Sequence, residues 1–213
     1  MPPNQQPRHT AQGAGRGAGA LLQFKITLTG IRPPIWRRVL VPEGLSLSGL
    51  HDVIQEVMGW TDSHLHDFHW RGERFGLPDP EFDEERVVDE RTVTLKELGL
   101  SIKDRLEYVY DFGDGWEHVL TVEQVLEAGE HQTPVCLKGA RSCPPEDCGG
   151  AWGYENLLDI LKDPTHEEYE EWKTWLPENF DPEQCDLAEV NSALSVRQWT
   201  IAPPSRKGRR KKM

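Results

Sequence analysis

The sequence is short of the features that settle a protein's chemistry quickly. It has four cysteines in 213 residues, and no two of them form a Cys-x-x-Cys knuckle, the usual core of a structural zinc site. No stretch reaches the ~18 consecutive apolar residues that cross a bilayer. The N-terminus has no charged start followed by an apolar core, so no export signal is read there. There is no phosphate-binding P-loop and no Gly-x-Ser-x-Gly elbow, and the glycines at Gly13–Gly19 precede any strand, which excludes a dinucleotide fingerprint. No cysteine has a clear catalytic partner. Four cysteines without an export signal read as reduced thiols or metal ligands in a cytoplasm, not as a disulfide framework.

Basic charge is also scarce where it would matter. Eight of the 24 basic residues lie in the two ends, and all 36 acidic residues lie in 21–202, which leaves that body at a net −20. Such a surface repels the phosphate backbone, so nucleic acid is not an expected partner of the body. The tail carrying Arg206, Lys207, Arg209, Arg210, Lys211 and Lys212 could attach weakly to nucleic acid or another acidic surface. Residues 1–20 and 201–213 lack apolar periodicity and read as disordered extensions, with one domain over 21–200.

Within that domain the periodicities are clear. Residues 22–29 alternate apolar and polar, Gly30 to Pro34 break the pattern, and Ile35 to Val41 resume it, which predicts an antiparallel strand pair with Arg37 and Arg38 on opposite faces. Ser46 is a helix N-cap before an apolar stripe at Leu47, Leu50, Val53, Ile54, Val57 and Met58, and Gly59 is the stop. His51 beside that stripe reads as a buried, hydrogen-bonded histidine. His64 to Trp70 reads as a strand, on which His64 and His66 share a face and could chelate one ion, although a polar strand with surface histidines is the preferred reading. The acidic run from Asp79 to Glu90 has no EF-hand spacing and reads as a solvated loop. Thr94 to Leu98 is a short helical turn, Leu106–Tyr110 is a strand, and Trp116 to Val122 is its hairpin partner across Gly113-Asp114-Gly115. Residues 155–162, 165–175 and 186–194 have helical patterns.

The chemistry-bearing residues concentrate between Tyr108 and Tyr154. Asp111 and Asp114 crowd the hairpin turn, and Glu146 and Asp147 follow Pro144-Pro145. These four are candidate catalytic carboxylates, able to hold a divalent cation or polarise a water. Asp111 could equally bond nearby backbone amides, and Glu146-Asp147 could cap the helix that follows. Cys136, Cys143 and Cys148, with His118 as fourth donor, form a candidate zinc site, with His64 or His66 as alternative donors; buried thiols packing as small hydrophobes are the competing reading. Trp36, Trp116 and Trp152, with Arg38 at the rim, are candidate ligand-binding residues, because large amphipathic rings line recognition grooves. Those rings could also be core.

The segments Ile31 to Arg38, Leu50-His51 through Gly59-Trp60, His64-Leu65-His66, Tyr110 through His118, Pro144 through Gly150 and Phe180 to Glu183 resemble, in order, the bacterial family named after ORF-3 of a root-inducing plasmid. Cys185 departs from the pattern, where an aromatic is usual. Some members of that family are labelled resolvase-like passenger proteins of insertion elements. The resemblance implies an α+β fold around a curved sheet and does not imply an activity. A serine nucleophile with an arginine cluster, or a DNA-reading helix, has no counterpart here. The expectation is a mainly antiparallel sheet with one packed N-terminal helix and a helical, acidic C-terminal part. Its expected function is a non-enzymatic binding or accessory protein associated with mobile elements, with an unknown protein or small molecule as partner. The alternative is a metal-dependent hydrolase, using zinc or another divalent cation, on a small or nucleotide-like substrate.

Overall fold

Two alternating strands start the sheet. In Ala20–Leu28 (β1) the residues Leu22, Phe24, Ile26 and Leu28 are buried, and in Trp36–Pro42 (β2) Arg37, Val39 and Val41 share that inner face. β1 pairs antiparallel with β2, with Phe24 opposite Val39 and Lys25 opposite Arg38. The remaining strands are His66–Trp70 (β3), Glu73–Gly76 (β4), Val87–Asp89 (β5), Arg105–Tyr110 (β6), Trp116–Glu127 (β7) and Val135–Ala140 (β8). They form one eight-stranded sheet in the order β5-β4-β3-β6-β7-β1-β2-β8, antiparallel except for β4 with β5. This computed structural model describes residues 19–79, 81, 86–129 and 133–201; most of the acidic stretch 80–85, the basic tail and nearly all of the N-terminal extension lie outside them.

The helix Leu47–Met58 (α1) covers the inner face. Ser46 caps it by accepting from the Gly49 amide, and Gly59 ends it in a left-handed conformation, as the sequence leads one to expect. Burying an arginine in the inner row of β2 demands partners. Arg37 finds them in carbonyls: its Nε donates to Val57 O at the C-terminal end of α1, and Nη1 donates to Trp36 O and Ala140 O. A cation at a helix C-terminus is favoured by the peptide dipoles as well. The hairpin β6–β7 forms as expected, with Tyr110 opposite Trp116. A four-residue helix, Leu95–Leu98 (α2), is closed by a capping box between Thr94 and Glu97. The C-terminal part is helical, with Gly150–Lys162 (α3), Tyr169–Trp175 (α4) and Leu187–Val196 (α5). The fold is therefore α+β, with an open and mostly antiparallel sheet. No helix among the described residues is long and apolar enough to cross a membrane.

Two readings need correction. The strand expected from His64 begins only at His66, so His64 stands in the loop before it and the two imidazoles do not share a strand face. The acidic run is not wholly solvated either. Asp89 ends a strand, and Glu90 opens a 3-10 turn as a buried residue, 1% exposed.

Candidate functional site

The loop after α1, the start of β3, the turn after β6 and the loop before α3 meet at one place. Trp60 begins the construction. Its ring stacks on Tyr110 at 4.9 Å, and its Nε1 donates to Pro144 O at 2.9 Å, which pins the Pro-Pro loop to the end of α1. Glu146 then accepts from the Tyr110 hydroxyl and from the Thr61 hydroxyl, tying that loop to both β6 and the 61–65 segment. Asp114 holds the other end: its carboxylate accepts from Gly149 N at 3.1 Å, at the N-cap of α3. Gly150 sits so close that an added Cβ would lie 2.4 Å from Asp114 O, and its φ is +67°, so a glycine is required there on both counts. Neither Glu146 nor Asp147 caps α3; it is Asp114 that holds the Gly149 amide before the helix.

This bracing leaves Asp147 facing His64 and Asp111. The Asp111 amide donates to Leu65 O, which lays the turn alongside the 64–65 segment. Asp111 Oδ1 is used inside its own turn, accepting from Gly113 N at 2.9 Å. Its other oxygen is 3.7 Å from His64 Nε2, and Asp147 Oδ1 is 3.2 Å from the same nitrogen. Neither contact has hydrogen-bond geometry, and the buried Nε2 has no hydrogen-bond partner. His64, Asp111 and Asp147 offer three donor atoms within 4.8 Å of one another. Asp111 and Asp147 both have left-handed backbones, at φ +56° and +58°. Such conformations are uncommon outside glycine, and aspartate is among the residues that tolerate them.

A second group stands on the same wall. His51 on α1 and His66 on β3 stack ring on ring at 3.4 Å, inclined by 4°. Here three of the four ring nitrogens have hydrogen-bond partners. His51 Nδ1 is 2.8 Å from the Tyr108 hydroxyl and its Nε2 is 2.9 Å from Asp62, while His66 Nε2 is 3.0 Å from Glu90. Gln55 completes the network by donating to Tyr108 and accepting from the Asp62 amide. Burial, with the adjacent His66 as the next cause, pushes His51 down to about 4, so it is neutral above that pH. His51, Asp62 and His66 also lie close enough to share an ion, at the expense of those hydrogen bonds. A cavity of about 540 Å³ is lined by His51, Asp62, Ser63, His64, His66 and Glu90, so it borders the stacked group and, of the first group, His64.

The other candidates fall elsewhere. His118 is interior, its Nδ1 on Trp116 O at 2.9 Å, and burial lowers it to about 4. Cys136 lies on β8, Cys143 has Sγ 3.5 Å from the Met58 sulfur, and Cys148 follows Asp147. Among the described residues no set of cysteines brings its donor atoms within the spacing of a shared ion. Burial raises these thiols to about 11, 12 and 12, which keeps them protonated. The tryptophans do not share a groove. Trp116 is 1% exposed and interior, Trp152 is 79% exposed on α3, and Trp36 lies under Lys25 and Arg38 on the outer face of the sheet. Arg38 is engaged there with both oxygens of Glu123. Asp62 and Glu90 were not singled out by sequence, because what marks them is a partner brought in by the fold, with no local spacing to reveal it.

Comparison with known proteins follows the same span. The family model described as plasmid pRiA4b ORF-3-like protein matches residues 20–189. An uncharacterised protein, y4hQ of Sinorhizobium fredii (strain NBRC 101917 / NGR234), is 37% identical over 195 residues, covering 90% of this chain and 98% of the relative. A crystal structure of a protein of unknown function, MM3350 from Methanosarcina mazei Go1, superposes with a TM-score of 0.74 at 38% identity, covering 81% of this chain and 98% of that one.

Proposed function

The chain belongs to the plasmid pRiA4b ORF-3-like family, and from that premise we propose that it binds one divalent metal ion at His64, Asp111 and Asp147 and uses it to hydrolyse a small substrate. The observation that carries this reading is the buried Nε2 of His64, which has no hydrogen-bond partner while two carboxylates stand 3.2 and 3.7 Å away. Ligand atoms ~2.1 Å from a shared ion stand roughly 3–4 Å from one another, the spacing seen here. One imidazole and two carboxylates suit zinc or manganese, and three protein ligands leave coordination positions open, as in catalytic and not structural centres. A bound ion would supply an activated water at neutral pH.

The test is elemental analysis of protein purified without a metal-chelating tag, followed by assays on phosphoesters and amides. The expected result is about one divalent ion per chain, absent from His64→Ala, with turnover that follows metal content. Chains free of metal after exposure to zinc and manganese would end the hydrolase reading. The reading to pursue, by partner capture, would then be a non-enzymatic binding or accessory role.

A further inference from the structure

A second cavity lies well apart in character. It occupies about 810 Å³ between α3, α4 and the segment 176–183, within the ~300–1,000 Å³ range of small-molecule sites. Helix α3 shows how it arises. Tyr154 and Leu157 point one stripe of the helix into the main core and Ile160 continues that stripe, each 0–2% exposed. Leu158 and Leu161 form a second apolar stripe, half-buried, that lines the cavity. Helix α4 contributes Tyr169 and has no buried residue of its own, so it does not fill the space. Leu176 and Phe180 extend the apolar wall.

The charges around this wall are the reverse of the rest of the body. Arg32, Arg141, Lys162 and Lys173 line it, against Glu178 and Glu183. Four of the sixteen basic residues of 21–202 thus surround one cavity, in a body whose net charge is −20. Arg141 is itself buried, at 6% exposed, with Nε on Glu183 and Nη1 on Pro33 O. Lys173 lies 5.5 Å from the centre of the Tyr169 ring, its ammonium held over an aromatic wall. Lys162 is paired with the exposed Asp159, a contact that an incoming anion can replace at little cost.

We propose that this cavity binds a small amphiphilic anion, an apolar chain or ring ending in a carboxylate or phosphate, with the apolar part against Leu158, Leu161 and Phe180 and the anionic group among the four cations. The site is separate from His64, Asp111 and Asp147 and does not depend on a metal there. Desolvated apolar surface supplies affinity, and the cationic rim selects the sign of the head group.

The experiment is calorimetric titration of the full chain with four twelve-carbon probes below their micelle concentrations: dodecanoate, dodecyl phosphate, dodecanol and dodecyltrimethylammonium. Saturable one-to-one binding of an anionic probe is expected, with the alcohol and the cation weaker by about tenfold or more, the loss expected when a charge-assisted contact is missing. The stronger of the two anions identifies the head group. Lys162→Glu with Lys173→Glu, both solvent-facing, should reduce anion binding by at least about tenfold, and Leu161→Trp should reduce it by filling the space. His64→Ala should leave it unchanged. Equal binding of all four probes, no binding of either anion, or full binding by the double glutamate variant would each overturn the proposal.

Discussion

The two neighbouring histidine–carboxylate groups are built from the same residue types and differ in how their nitrogens are used. In one, His51 and His66 are stacked, and both nitrogens of His51 and Nε2 of His66 are taken by Tyr108, Asp62 and Glu90. In the other, His64 presents a buried nitrogen with no hydrogen bond to two carboxylates that stand near it. The difference lies in what the hydrogen bonds do. A network with its donors and acceptors matched rigidifies the contact between α1 and β3 and has little left for a ligand. An unmatched buried nitrogen is costly for the protein alone, and a bound cation removes that cost. Proximity of His, Asp and Glu is therefore a weak indicator by itself, and the state of the lone pairs separates the structural group from the candidate centre.

The contrast can be attacked first with acid. His51 and His118 are both held near 4, below the ordinary histidine value of 6.5, chiefly by burial. The unfolded chain takes up these protons first as pH falls, so stability is fully present above about 6.5 and is lost between 6.5 and 4. Each group contributes a loss of about 3 kcal/mol over that window. Urea unfolding at a series of pH values should show the decline, and His51→Gln should flatten it by about half. A pH-independent stability over this range would mean that neither imidazole is held neutral by the fold.

Next comes removal of one carboxylate from the matched group. Glu90→Ala leaves His66 Nε2 without its partner in a buried position and should cost about 1–3 kcal/mol in urea unfolding. The smallest effect is expected at the unmatched group. His64→Ala removes no hydrogen bond from Nε2, so metal-free protein should change by no more than about 0.5 kcal/mol. If His64→Ala were as damaging as Glu90→Ala, the distinction between the two groups would be wrong.

Much of the scaffold could be read from local pattern. The caps at Ser46 and Gly59, the β1–β2 pair and the hairpin at Asp111–Gly115 are all carried by neighbouring residues and a single period. What escaped was non-local or irregular. Strand β8 has no alternation in its burial, pairs only along one edge with β2, and contains Gly139, so no period announces it. Glu90 looked like one more acid in a charged run, and only the approach of β3 makes it the partner of His66. At the candidate site, Asp111, Asp147 and His64 were each legible as chemistry-bearing residues. Their grouping was not, because it depends on Trp60, Glu146 and Asp114 bracing the Pro-Pro loop across a long sequence distance. The cysteines mislead for the same reason: closeness in sequence does not bring their sulfurs to one point.

The most direct measurement is calorimetric titration of zinc, then manganese, into metal-free full-length protein and into two variants, His64→Ala and His66→Ala. The account predicts one site in the wild type, lost in His64→Ala and kept in folded His66→Ala. Binding that survives His64→Ala and disappears in His66→Ala would place the ion in the stacked group and contradict the account.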